Sequence, residues 1–295
     1  MRFGVGVANY GPHTSFEAMR RVALAAEELG YESVWTTDHV IVPKENIEPY
    51  GHIYESVVTL AMIAAVTQRV RLGTSIIVLP MRNPVLFAKQ AASIDAASGG
   101  RMIVGVGVGW NEPEYRNLNS NFKNRGRRLD EDIHLLRTLW SNEDANFQGR
   151  YTQITDSVFA PLPPNKGIPI WVGGNGEPSW KRAATLGDAW HATGALPETI
   201  AAATRYFREH KPARPFTISA RLTVDMNPDV PSTYEYRGAT RRRLTGTDDN
   251  IRALLHEYQN AGLEHAALWF PTEDVSVTLK QMERFWRDIA PEFAS

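Results

Sequence analysis

The 295-residue chain contains no cysteine. Disulfide bridges, thiolate metal sites and a cysteine nucleophile are therefore excluded. Charge of one sign is also missing: 32 lysine and arginine residues stand against 33 aspartates and glutamates, a net −1 with histidine neutral. No global field draws such a chain to nucleic acid or to an acidic membrane surface, and neither is expected as a partner. No apolar run is long enough to span a bilayer, and Met1-Arg2-Phe3-Gly4-Val5 reads at once as a strand, with no signal segment. The expectation is a cytoplasmic protein. The sequence holds no GxSxG elbow, no metal-ligand spacing, no internal repeat and no low-complexity tract.

What is present alternates from end to end. Short β-branched runs at 2–7, 33–36, 71–79, 102–108, 169–172, 189–192, 216–225 and 265–270 read as strands. Amphipathic stretches at 15–29, 55–66, 85–97, 127–140, 178–186, 197–210, 248–261 and 275–289 read as helices. Ser15 is placed as an N-cap and Gly30 as a stop. About eight strand–helix units in series favour a closed (β/α)8 TIM barrel, one domain over 1–295, above a doubly wound open sheet. Three stretches break the rhythm: polar 111–126, 142–167, which reads as a hairpin and loop, and 226–246 after the seventh strand. Inserted loops at the C-terminal face of barrel strands are expected over the active mouth. Eight tryptophans, several beside loops, suit an aromatic-lined pocket as well as plain packing.

Candidate chemistry gathers at strand ends. Thr36-Thr37-Asp38-His39 places a carboxylate and an imidazole at the rim, and histidine is the side chain best suited to proton transfer near neutrality. The plainer reading is a capping aspartate and a satisfied rim histidine. Gly73, Thr74 and Ser75 put small residues inside an apolar strand, either because something approaches the backbone or because a barrel layer needs them small. Gly105, Gly107 and Gly109 alternate, which puts them on one strand face and clears it for a flat ring or a tight barrel interior. The spacing is not a dinucleotide fingerprint. Gly173-Gly174-Asn175-Gly176 precedes a helix beginning near Pro178, and free N–H groups there suit a phosphate; an ordinary βα turn is the alternative. The clusters Arg125-Gly126-Arg127-Arg128 and Arg241-Arg242-Arg243 are solvated faces or contacts for an anionic tail. His13, His52, His134, His210, His256 and His265 are scattered and given no role.

In order along the chain, Thr37-Asp38-His39, Leu72-Gly73-Thr74-Ser75 with Arg82-Asn83-Pro84, Gly105 to Glu112, Arg127 to Glu131, Gly187-Asp188-Ala189-Trp190 and Gly246-Thr247 resemble the luciferase-like monooxygenases. Within that family the chain looks most like the branch of oxidoreductases using coenzyme F420, a deazaflavin. The resemblance spans almost the whole chain. It implies hydride transfer between the deazaflavin and a small organic substrate, with His39 and Asp38 as the catalytic residues and His39 moving the proton. It places Asp38 against the ring, Thr74, Ser75 and Ile76 in a bulge with a non-prolyl cis peptide behind it, and Gly107, Val108 and Gly109 along its flank. Gly173, Gly174, Asn175 and Thr193 would hold the phosphate. No metal is implied, and a homodimer is left open. Trp110 and Pro43 stand where sugar-phosphate dehydrogenases of the branch carry a catalytic glutamate and a tryptophan, which argues against glucose 6-phosphate. Two other functions stay open: an FMN-dependent monooxygenase using oxygen and a flavin reductase, and a barrel that binds deazaflavin or flavin without turnover.

Overall fold

The computed structural model describes residues 1–293 apart from 213, 237 and 272, with 46 described by its backbone alone. Eight strands form its centre: β1 (Arg2–Gly6), β2 (Ser33–Thr36), β3 (Arg71–Thr74), β4 (Met102–Gly107), β5 (Ile170–Gly173), β6 (Ala189–Thr193), β7 (Thr217–Asp225) and β8 (His265–Trp269). Each pairs in parallel with the next, and β8 returns to β1 through Arg2↔His265 and Val5↔Leu268. The ring is closed, a (β/α)8 barrel. Its outer layer is α1 (Phe16–Leu29), α2 (Ser56–Ala64), α3 (Pro84–Ser98), α4 (Arg125–Ser141), α5 (Glu177–Leu186), α6 (Pro197–His210), α7 (Asp248–Asn260) and α8 (Val275–Asp288). Local chemistry sets the helix ends. Ser15 accepts from Ala18 N, Gly30 stops α1 in the left-handed region at φ 98°, Asn83 caps α3, and Thr247 with Asn250 forms a capping box on α7.

The period of two along each strand divides the core. Outward residues such as Phe3, Val5, Val34, Leu72, Val104 and Val106 pack beneath the helices. The barrel interior instead holds Trp35, Trp171 and Trp269. Glycines face them: a Cβ on Gly73 would lie 2.3 Å from the Trp35 ring, and one on Gly6 2.3 Å from Trp269. Large rings opposite glycine thus fill much of the barrel interior.

Three expectations need correction. The single strand at 71–79 is broken: β3 ends at Thr74, a cis peptide joins Ser75 to Ile76, and only Ile77–Val78 pairs again with β4. The hairpin expected within 142–167 is present, but as an insertion after α4 it does not extend the C-terminal end of a strand over the mouth. The hairpin, Asp144–Gln148 against Gln153–Val158, is tied to α4 where the Arg150, Tyr151 and Thr152 amides donate to the Glu131 carboxylate. It therefore lies against the helix layer, on the route into the N-terminal end of β5. The stretch 226–246 is not a plain loop. Thr233–Tyr236 pairs antiparallel with Ala239–Thr245, which runs parallel beside the end of β7. None of the helices among the described residues is long and apolar enough to cross a membrane.

Candidate active site

Parallel strands deliver their C-terminal ends to one mouth. Asp38 and His39 follow β2, Ser75 and Ile76 follow β3, Val108 and Gly109 follow β4, and Gly174 and Asn175 follow β5; Gly107, Gly173 and Thr193 are the last residues of β4, β5 and β6. The rim residues singled out in the sequence therefore share that mouth.

Their individual roles diverge. Asp38 is buried and fully committed: it accepts from Val78 N at 2.9 Å and pairs with Arg82 through a two-pronged contact, Nη2 at 2.5 Å and Nε at 3.3 Å. Arg82 also reaches Glu55 at 2.8 Å. A carboxylate so paired holds structure and has no lone proton duty. His39 is different. Its Nδ1 lies 2.8 Å from Oε2 of Glu114, which is fully buried and whose other oxygen accepts from the Val40 and Ile41 amides at 2.7 and 3.2 Å. Tyr50 and Trp110 flank the imidazole, centroids at 4.6 and 5.7 Å. Glu114 fixes the ring with a proton on Nδ1 and leaves Nε2 without a hydrogen bond among the described residues.

The small residues of β3 and β4 fit against each other. Thr74 Oγ1 donates to Gly105 O at 2.7 Å, Ser75 N donates to Thr36 O at 2.7 Å, and Ser75 Oγ meets His191 Nε2 at 2.8 Å. A Cβ on Gly105 would fall 1.9 Å from the Thr74 carbonyl oxygen, and one on Gly107 would fall 2.3 Å from Ile76 Cδ1. The cleared face is thus occupied by the Thr74–Ile76 segment itself. Gly109 has left the strand, with φ 63° and Val78 beneath it, so the three glycines do not share one regular face. Ile76 seats on Gly107 and Gly173 and stays half-buried, the top of a flat platform.

One strand further, Gly174 sits at φ 130° and its carbonyl accepts from Trp190 Nε1 at 2.5 Å. Asn175 and Thr193 are zipped together: Asn175 Oδ1 accepts from Thr193 N at 3.0 Å and Nδ2 donates to Thr193 O at 2.9 Å. The following helix, α5, has no side-chain cap on its first turn. Beside this turn opens a cavity of about 240 Å³, whose lining includes Tyr10, Tyr50, Arg221, Tyr234, Arg241 and Arg243. Arg221 stacks 4.0 Å over Trp269 and donates to Tyr10 OH at 2.7 Å and Thr37 Oγ1 at 3.1 Å. Arg241 donates to the Thr193 and Gly194 carbonyls. Arg243 donates to Pro231 O and lies over Tyr234. Among the described residues none of these three has a carboxylate partner, whereas Arg242 points away and pairs with Glu257 at 2.5 Å. No group of three or more His, Asp or Glu side chains among the described residues is placed to hold a metal.

Residues 1–231 match the family model for luciferase-like monooxygenases. The chain belongs to the luciferase-like monooxygenase family. An F420-dependent glucose-6-phosphate dehydrogenase of Amycolatopsis mediterranei is 27% identical over 327 aligned positions, 96% of this chain and 95% of the relative. A monooxygenase from Streptomyces bottropensis shares the fold at a TM-score of 0.84 and 22% identity, covering 100% of both chains. So does an F420-dependent secondary alcohol dehydrogenase solved with an F420–acetone adduct, at 0.83 and 19%, covering 98% of both.

Several groups at the mouth and in the barrel interior of this family member escaped the sequence reading. Glu114 lies two residues beyond Glu112, where the rim motif stopped. Arg221 is a lone charge in the apolar run of β7, and strand parity turns it inward with Ser219. Asn111, which the rim motif included without a role, is buried just after β4 with both amide atoms lacking a partner. His265, set aside as scattered, is fully buried inside the barrel. A charge or imidazole at an inward strand position was the available signal in two of these cases.

Proposed function

We propose that this protein is a coenzyme F420-dependent oxidoreductase that moves a hydride between the deazaflavin and a small organic substrate bearing an anionic group. The observation that carries the reading is the Ile76 platform on Gly107 and Gly173 beside a histidine held by a buried glutamate. The residues present fit a flat ring with a phosphate-bearing tail. Ile76 offers an apolar face, and the unpartnered Asn111 amide offers a donor and an acceptor to a polar ring edge. The 173–176 turn before uncapped α5 offers backbone N–H groups to the phosphate, next to the Asn175–Thr193 pair. The F420-dependent relative aligned over nearly its full length supports the same cofactor.

When bound, the deazaflavin supplies a two-electron hydride donor or acceptor. This chain's residues do the rest. His39 Nε2 takes the proton from a substrate hydroxyl in the oxidative direction and returns it in the reductive one, with Glu114 orienting the ring and stabilising its charged form. Asp38, locked to Arg82 and Val78, holds the β2 rim against the Ile77–Val78 segment. Arg221, Arg241 and Arg243 give the cavity a positive wall, which recognises a carboxylate or phosphate on the substrate.

The deciding experiment titrates the protein with F420 and with FMN, then screens the bound form against small anionic alcohols and carbonyl compounds. F420 binding with substrate-dependent change in its absorbance is expected. FMN binding with oxygen consumption would replace this reading by a monooxygenase, and F420 binding without turnover of any compound would leave a binding barrel.

A further inference from the structure

A line of hydrogen bonds crosses the barrel interior from its closed end to the mouth. Glu32, between Arg2 at 3.2 Å and Arg71 at 3.9 Å, lies just before β2. Its Oε2 is buried without a hydrogen bond, and the imidazole Nε2 of His265 lies 3.4 Å from it. That same nitrogen is 3.1 Å from Ser33 Oγ, which already accepts from Trp35 Nε1 at 2.9 Å. His265 Nδ1 is 2.9 Å from Ser219 Oγ, Ser219 Oγ is 2.8 Å from His191 Nδ1, and His191 Nε2 is 2.8 Å from Ser75 Oγ. Ser33, Ser219, His191 and His265 are fully buried.

The charge at one end dictates every proton in between. Burial holds the His191 imidazole down to about 3, and pushes His265 well below the usual histidine range. Both rings are therefore neutral, each with one N–H. A carboxylate oxygen facing His265 Nε2 is attracted by a proton there and repelled by a lone pair, so Nε2 carries the proton. Nδ1 is then bare and accepts from the Ser219 hydroxyl. Ser219 has one proton, so His191 Nδ1 must donate to it. His191 Nε2 is left bare and accepts from Ser75.

We propose that Glu32 is a positioning residue for the cofactor platform, acting through His265, Ser219 and His191 to fix the Ser75 hydroxyl as a donor into the barrel and so hold the Ser75–Ile76 segment in place. Burial keeps His191 neutral, so its part in the chain is to pass on the direction of the hydrogen bonds and not a charge. The role toward the cofactor rests on the function proposed above; the polarity of the chain does not.

The test uses the full chain and reads imidazole tautomers by long-range ¹H–¹⁵N correlation, without cofactor. The wild type is expected to show His191 protonated on Nδ1 and His265 on Nε2. Ser219→Ala should leave His265 unchanged and release the preference of His191; Glu32→Gln should weaken the preference of both. F420 affinity, followed by its fluorescence, should fall about fivefold or more in both variants, at the scale of ordinary coupling between distant sites. Thermal melts establish that each variant is folded, and either one suffices. The opposite tautomers in the wild type overturn the chain. Released tautomers with unchanged F420 affinity overturn the positioning role. A wild type that binds no F420 overturns the cofactor reading, and the tautomers still decide whether Glu32 sets the polarity.

Discussion

Glu114 reaches His39 across 75 positions of sequence, 2.8 Å from its Nδ1, and the same carboxylate gathers the next two backbone amides of the β2 rim. One buried acid thereby fixes both the imidazole and the loop that carries it. His39→Ala is expected to keep the fold and F420 binding and to lower kcat by roughly 100-fold or more, the scale of a lost acid–base group. Glu114→Gln keeps the shape, removes the charge and should reproduce most of that loss. The measurement is steady-state turnover with a substrate found in the screen. Wild-type kcat in both variants would reduce the pair to a structural contact.

Of the three arginines lining the mouth cavity, Arg221 stands on a barrel strand, and Arg241 and Arg243 on the strand added beside β7. Arg221→Met retains a stem to lie on Trp269 and removes the guanidinium. For an anionic substrate, KM should rise about 10- to 100-fold with kcat little changed, because a charged hydrogen bond contributes roughly 1.5–3 kcal/mol and is made equally in ground and transition states. A neutral analogue should show no such rise. Equal effects on charged and neutral substrates would mean that Arg221 shapes the cavity without recognising charge.

The glycine turn after β5 and the arginine cluster make opposite predictions for the cofactor phosphate. A side chain at Gly174 would meet Ser179 Cβ at 2.9 Å and would have to adopt φ 130°. Gly174→Val should therefore weaken F420 binding at least about tenfold, the loss of about one charge-assisted hydrogen bond. Arg242, already paired with Glu257, is the control, and Arg242→Ala should bind as the wild type does. Fluorescence titration of both, with melts to check folding, decides. Tight binding by the valine variant alongside weak binding by the alanine variant would move the phosphate elsewhere.

Asp132 on α4 makes a pH-dependent prediction. Both its oxygens are buried without a partner, and burial lifts its carboxyl to about 7. A raised carboxyl is neutral in the fold while the unfolded chain ionises near 4. Its contribution is favourable below that value and is lost as the pH climbs from about 4 to about 7. Asp132→Asn should gain ~2 kcal/mol at pH 8, less than the full shift because the amide is also unpartnered, and clearly less at pH 5. Thermal melts of both proteins at the two pH values test this, and an equal difference at both would show that Asp132 is ionised in the fold.

The alternation of β-branched runs and amphipathic stretches determined the eight-fold count, and Ser15 and Gly30 set the ends of α1, because hydrophobic period and capping are properties of neighbours along the chain. That the rim candidates share a mouth followed from parallel strands alone. Which partner each one meets did not follow. Glu114 with His39, Arg82 with Asp38, and Ile76 on Gly107 and Gly173 are contacts across the ring or between neighbouring strands, and they exist only once closure and register are set. The alternating glycines show the difference most directly. Their sequence pattern marked a cleared face, but only the tertiary structure decided that the Thr74–Ile76 segment fills it, because a strand's own periodicity says which way a residue points and nothing about what stands opposite.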